Sequence, residues 1–305
     1  MKLFDRLFRR TRAAGGRRAI ADSRFVRYAE SDMSIMCSLG AFTYSSECQN
    51  LFLNRFTIDE LRRIIAEIGL EGYLASKGFS NLDITVTRND SYMHMLRIYS
   101  GARDPERLLV ELKLSEVHYT LPEPLVKGII VPEKVSLLAV EWLTLQNPHA
   151  AFSPDRPKLP GQDRPGLGAV ACMARFLEII AGEVKTAGIM DIPDYFHNAV
   201  MYARLFLFMD PEREGLLRAV LRDLPGLSLY DLSWGFMTES IINEKTGKPE
   251  AHVAAEQVYP VSKTLQEYFT SKPYRERVAS AMESRRLVFN RERMLARQKK
   301  HPEFA

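Results

Sequence analysis

Gly166, Leu167 and Gly168 stand where a loop ends and a helix begins, shortly after a strongly apolar strand. Small residues at that point let a ligand approach the main chain. The first turn of the helix leaves amide N–H groups unpaired at the positive end of its dipole. That combination binds phosphate, although the same Gly-x-Gly can also be a plain tight turn. A short strand and a second helix follow, and the helix carries Asn198, Ala199 and Tyr202. The strand upstream contains a single charged residue, Glu141, among Leu137, Leu138, Ala139, Val140, Trp142, Leu143 and Leu145. Hydrogen-bonding and proton-transfer side chains thus sit on both sides of the turn.

The flanking pattern says which elements must position these residues. Residues 137–146 read as the strongest strand, apolar enough to be covered on both faces. The loop 147–165 holds Pro148, Pro154, Pro157, Pro160 and Pro165, which stiffen it and lower its ordering cost. A helix is predicted over 167–187, burying Met173, Phe176, Leu177, Ile180 and Val184, with Gly188 as its C-cap. Residues 189–192 form a short strand, Asp194 caps a helix running to Arg204, and 206–209 return as a strand closed by Asp210 and Pro211. Upstream, Thr57 and Glu60 make a capping box for the stripe Ile58, Leu61, Ile64, Ile65 and Ile68. Segments 82–87, 95–99 and 108–117 follow as an antiparallel meander. Beyond 211 the pattern is mainly helical, over 216–224, 261–269 and 273–298. The expected organisation is a basic amphipathic tail (1–18), an N-terminal helical region (19–79), a core (80–210) and a helical C-terminal extension (211–305). The class is α/β of the mixed α+β kind, a central, mostly antiparallel sheet with flanking helices.

In order and spacing, residues 137–208 resemble the acyl-CoA-binding half of the GNAT superfamily of N-acetyltransferases. The resemblance implies a sheet of the acyl-CoA N-acyltransferase type. It also implies transfer of an acyl group, acetyl above all, from an acyl-CoA co-substrate to an amine on a small molecule or a protein, with no metal. By the same likeness Arg164, Gly166, Leu167, Gly168 and Ala169 cradle the coenzyme's pyrophosphate. The main chain around Leu143 pairs with the pantetheine arm, Asn198 contacts the coenzyme, and Tyr202 protonates the leaving thiolate. Glu141 is then the base that relieves the amine of its proton, with Glu111 and Glu116 in reserve; alternatively it faces solvent or pairs with an arginine. Tyr202 and Glu141 are expected to reach one cavity, from the helix and from the strand. The chain departs from the family pattern at Asp163, where Gln or Arg is usual, in the short spacing from Asn198 to Tyr202, and at Phe206, near the place of a glycine before Phe208. These departures keep open a non-catalytic relative that binds or regulates.

The 305 residues are long enough for a sizeable core, and 46% hydrophobic with 26% charged residues is ordinary for a globular chain. No apolar run approaches the roughly 18–20 residues that span a bilayer, and the start lacks the apolar segment of a secretory signal. Cys37, Cys48 and Cys172 lack metal-ligand spacing and fit a reducing, cytoplasmic setting. His94, His118, His149 and His252 have no carboxylate or Cys partners at such spacing, and His197 beside a helix start reads as structural. Residues 1–18 carry Lys2, Arg6, Arg9, Arg10, Arg12, Arg17 and Arg18 against Asp5, a net +6 that leaves the rest of the chain at about −2. Leu3, Phe4, Leu7 and Phe8 share one helical face there. The segment is either a frayed terminus or a surface helix for anionic lipid on the inner face of a membrane. The basic cluster from Arg285 to Lys300 lacks aromatic interleaving, which argues against nucleic acid. If the tail seeks lipid, deleting 1–18 abolishes a salt-sensitive binding to anionic vesicles worth about 1 kcal/mol per basic residue. Co-sedimentation measures it, and unchanged binding after the deletion rejects the segment.

Overall fold

Thr57 opens the first helix as its spacing requires. Its hydroxyl accepts from the Glu60 N–H (3.2 Å), and the Glu60 carboxylate accepts from the Thr57 N–H (2.8 Å). The structure, a computed structural model, describes residues 25–27, 51–88, 92–121 and 134–300. The basic segment 1–18, Cys37 and Cys48 lie outside the described residues. In chain order come β1 (Phe25–Arg27), α1 (Ile58–Glu67), α2 (Leu70–Ala75), β2 (Leu82–Arg88), β3 (His94–Ser100), β4 (Leu108–Thr120) and β5 (Lys134–Leu145). Next are α3 (Val170–Val184), β6 (Gly188–Asp191), α4 (Phe196–Tyr202), β7 (Leu207–Phe208), α5 (Pro211–Asp223) and α6 (Leu229–Met237). The chain continues through β8 (Ile241–Asn243), β9 (Lys248–Pro249), β10 (Gln257–Pro260), α7 (Lys263–Thr270), α8 (Lys272–Glu283), β11 (Leu287–Phe289) and α9 (Arg291–Lys300).

The fold is α+β. The main sheet runs β2-β3-β4-β5-β6-β10-β7, with β1 paired to the far end of β4. All its pairings are antiparallel except β5 with β6, which are parallel and joined through α3. Alternation along the strands sorts side chains onto two faces. Leu96, Ile98, Leu112, Leu114, Leu138, Val140 and Ile189 pack toward α1, α2 and α3. Val117, Leu137, Ala139, Met190 and Val258 pack toward Leu265, Tyr268, Tyr274 and Val278 of α7 and α8. A third cluster ties α4, α5 and α6 together through Phe196, Leu216, Val220, Leu232 and Phe236. No helix among the described residues is long and apolar enough to cross a membrane.

Several boundaries differ from the sequence pattern. The α3 helix ends in left-handed Lys185 (φ +62°) rather than Gly188. Gly188 instead begins β6, where a Cβ would come within 2.7 Å of the Tyr259 carbonyl oxygen. Asp194 does not cap α4; Tyr195 holds that position without a side-chain bond. The long helix expected over 273–298 is two helices, because Leu287, Val288 and Phe289 pair with β8 in a small second sheet with β9. The stretch after 211 also supplies β10 to the main sheet, between β6 and β7, so 80–210 and 211–305 both contribute strands to one sheet. The close crossing of α5 over α8 depends on Gly215, whose added Cβ would fall 2.4 Å from Ala281 Cβ and 2.9 Å from the Val278 carbonyl oxygen. Gly215→Ala should therefore lower stability by about 1–3 kcal/mol, the cost of overpacking a rigid contact. Denaturant unfolding measures it, and an unchanged or raised midpoint contradicts the packing.

Candidate functional site

Strand β5 is held differently on its two edges. Its ladder with β4 runs from Lys134 opposite Thr120 to Leu145 opposite Val110. Its ladder with β6 covers only residues 137–140 and stops at Val140 opposite Asp191. Residues 141–144 thus keep β4 on one side after β6 has ended on the other. The glycine turn closes the far end of this stretch. The Leu167 N–H donates to the Leu145 carbonyl (2.9 Å), the Asn147 N–H to the Pro165 carbonyl (2.8 Å), and Gln146 bridges to Gly166.

Within the turn, Gly166, Leu167 and Ala169 are buried, and Gly168 is partly open. Gly168 has φ +82°, and the Tyr73 hydroxyl lies 2.7 Å from where a Cβ would project. That hydroxyl donates to the Leu167 carbonyl (3.0 Å), so α2 fixes the turn from above. Any side chain at 168 would be strained in backbone and would displace Tyr73. Ala169 is the N-cap of the 15-residue α3, which has no side-chain cap and no acidic residue in its first turn. The positive end of its dipole adjoins the glycine turn. Arg164, expected to join a phosphate cradle, forms an ion pair with Glu106 ahead of β4. Asp163 is exposed, which removes it from the turn. The Pro-rich loop is clamped by the Gln162 side chain, which accepts from the Leu159 N–H (3.0 Å), and by Trp234 Nε1, which donates to the Lys158 carbonyl (3.1 Å).

Glu141 and Tyr202 do not converge, which corrects the sequence expectation. A register shift at Lys113/Leu114 leaves Trp142 opposite Lys113 and Val140 opposite Leu114, so Glu141 is the extra residue of a β-bulge. Its carboxylate accepts from the buried Ser115 hydroxyl (2.6 Å). Ser115 alternates with Val117 and Tyr119, which face α7 and α8. Tyr202 packs with the opposite cluster, among Val140, Ile189 and Phe206, and its ring centroid lies 5.5 Å from that of Phe206. Alternation from Val140, which shares Tyr202's face, thus puts Glu141 on the opposite one. Leu143 remains on Tyr202's face, opposite Leu112 of β4.

Asp191 is a carboxylate on Tyr202's face; Glu116, opposite Leu138, shares that face but pairs with Arg55. Asp191 ends β6 between Val140 of β5 and Gln257 of β10. Burial pushes Asp191 up to about 7; the hydrogen bond from the Ile192 N–H opposes this and Asp194 adds to it. Burial also raises the Tyr202 phenol well above its usual range, and Asp191 reinforces that shift. Asn198 Oδ1 and Gln257 Oε1 are buried and have no hydrogen-bond partner among the described residues. Gln257 Nε2 donates to the Ala199 carbonyl (3.2 Å), which pins α4 to β10. The spacing of residues 137–208 did not single out Asp191, although a lone carboxylate closing Ile189-Met190 was visible there. Gln257 carried no such signal, because its strand joins the sheet from much later in the chain. His197 is fully buried, with Nδ1 2.6 Å from the Ser233 hydroxyl. Burial, with His252 nearby, pushes it down to about 3, so this pair belongs to the core.

A comparison of the chain with protein-family models and with curated proteins finds no match. The chemistry of the site must be read from its own residues. Between the ordinary carboxylate value and about 7, folded Asp191 holds a proton that the unfolded chain has lost. Its contribution therefore makes stability fall as pH rises through that window. Asp191→Asn should flatten the dependence, raising the denaturant midpoint relative to the parent at pH 8 more than at pH 5. Parallel curves for the two proteins would show that Asp191 titrates normally.

Proposed function

We propose that the protein transfers an acyl group from an acyl-CoA thioester to an amine. The observation that carries this reading is the end of β6 at Asp191 while β5 continues to the glycine turn at the uncapped start of α3. An extended pantetheine arm needs a strand edge to pair with, and the pyrophosphate beyond it needs main-chain amides at a helix start. Residues 141–144, with Leu143 among them, supply the first. Gly166, Gly168 and Ala169 with the dipole of α3 supply the second, while the Leu167 N–H is already held by the Leu145 carbonyl. Arg164 joins them by exchanging Glu106 for phosphate. Asn198, its side-chain oxygen unpaired, meets a donor on the coenzyme.

The reaction joins the amine nitrogen to the thioester carbonyl carbon and expels the thiolate. Tyr202 stands on the side of β5 from which β6 has withdrawn, and burial keeps its phenol neutral. A neutral phenol retains the proton that the departing sulfur takes up. The amine belongs to a small molecule or a protein, and its identity is set by the loops around the site. A cytoplasmic setting is part of the proposal, with the basic segment 1–18 as a contact to anionic membrane. One observation favours a second reading, a binding or regulatory protein with the same coenzyme site: Glu141, the base implied by the family likeness, faces the other side of the sheet.

Calorimetry with coenzyme A and acetyl-CoA separates these from an unrelated role. Binding at micromolar to millimolar concentration is expected, and none at millimolar ends both readings. Tyr202→Phe should then lower thiol release from acetyl-CoA by about 10²-fold with coenzyme affinity retained. Equal rates in the two proteins reject Tyr202 as the acid.

A further inference from the structure

We infer that Asp191, and not Glu141, is the group that accepts the proton of the attacking amine, and that it forms a proton couple with Tyr202. The inference rests on the acyl-transfer reading and assigns a residue that the family likeness does not supply. Its basis is position. Asp191 is the last residue of β6, so its main chain stands where the strand leaves β5. Ile189 packs toward α3, Met190 toward α7 and α8, and alternation returns Asp191 to the α3 face. Val140, its neighbour on β5, and Tyr202 pack on that same face. Glu141 is one residue beyond Val140 along β5, so alternation turns it to the opposite side, where the Ser115 hydroxyl holds it. An amine approaching a thioester on the α3 face therefore meets Asp191.

The groups around Asp191 suit this task. From α4 it faces Tyr202, and from the turn before that helix Asp194. From β10 it faces uncharged Gln257, while Tyr259 farther along that strand is engaged by Glu178 of α3. From β5 it faces apolar Val140. Asp194, a carboxylate, raises the proton affinity of Asp191 together with burial. A carboxyl titrating near 7 is a far better acceptor than an ordinary aspartate, and near neutral pH much of it is still ionised.

The protons balance. The amine nitrogen bonds to the thioester carbon and gives one proton to an Asp191 carboxylate oxygen. The carbon–sulfur bond breaks, and sulfur takes the Tyr202 phenolic proton. Protonated Asp191 then returns a proton to the Tyr202 phenolate, which restores both groups without an external acid or base.

Acetyl-CoA with spermidine, lysine and a lysine-containing peptide as amine probes tests this on the full chain, read as thiol release across pH 5.5–9. Calorimetry of acetyl-CoA binding runs in parallel. In the parent, turnover should rise through about pH 7. Asp191→Asn should lower kcat by about 10²-fold or more, remove that rise and change acetyl-CoA affinity by less than about twofold. Asp191→Glu should regain part of the rate with a shifted profile, which a merely structural role would not give. Glu141→Gln should keep the parent profile. An Asp191→Asn enzyme with the parent's rate and profile overturns the assignment, as does transfer of the pH effect to Glu141→Gln. Acetyl-CoA binding with no thiol release to any of these amines overturns the assignment but leaves the coenzyme site standing. No acetyl-CoA binding by the parent removes the acyl-transfer reading and the assignment with it.

Discussion

Everything at the site depends on the unequal ladders of β5. Paired to β4 along nearly its whole length, β5 has its main chain fixed in space. Paired to β6 for only four residues, it is free to follow a different course beyond Val140. A parallel pair joined by a right-handed crossover brings the connecting helix onto one face of the sheet. The start of that helix therefore lies near the carboxyl ends of the two strands. In open sheets that is where ligands find unpaired main chain and helix dipoles together. The glycine turn, Asp191 and α4 all inherit their positions from this one arrangement.

The C-terminal third of the chain makes the arrangement rigid. Strand β10 enters between β6 and β7, antiparallel to both, and covers the outer edge of the short β6. Gln257 on β10 reaches the Ala199 carbonyl of α4. Tyr268 and Tyr274, from α7 and α8, donate to the Met209 and Phe208 carbonyls at 2.7 Å each. Glu214 accepts from the Phe208 N–H (3.1 Å) and pairs with Arg218. Buried main-chain groups at the end of a two-residue strand would otherwise lack partners, at a cost of about 1–3 kcal/mol each. The helices after 211 thus do more than extend the core, because they fix the strand that follows α4.

Electrostatics distinguishes the two carboxylates near the parting strands. Glu141 accepts a hydroxyl hydrogen bond on a face where Lys113 stacks its ammonium over Trp142 at 5.5 Å. Asp191 is desolvated and has Asp194 nearby, so its proton is retained to a higher pH. The two differ in environment rather than in chemistry. Alternation along β5 and β6 puts Asp191, beside Val140, on Tyr202's face and Glu141 on the other.

The sequence by itself determined the local elements with clear signals. The capping box at Thr57 and Glu60, the meander β2–β4, the strand β5, the glycine turn and α3 all follow from spacing that each segment carries within itself. The positions of Gly166, Gly168, Asn198 and Tyr202 on their elements were legible for the same reason. Only the tertiary structure decided the rest. The strand β11 lay hidden in a helical pattern, because pairing with β8 outweighs the preference of Leu287, Val288 and Phe289 taken alone. The place of β10 between β6 and β7 comes from non-local hydrogen bonding, which no window of sequence contains. That Asp191 stands beside Val140 on Tyr202's face depends on the register between β5 and β6. Register is a property of two strands together, and neither strand's residues state it alone.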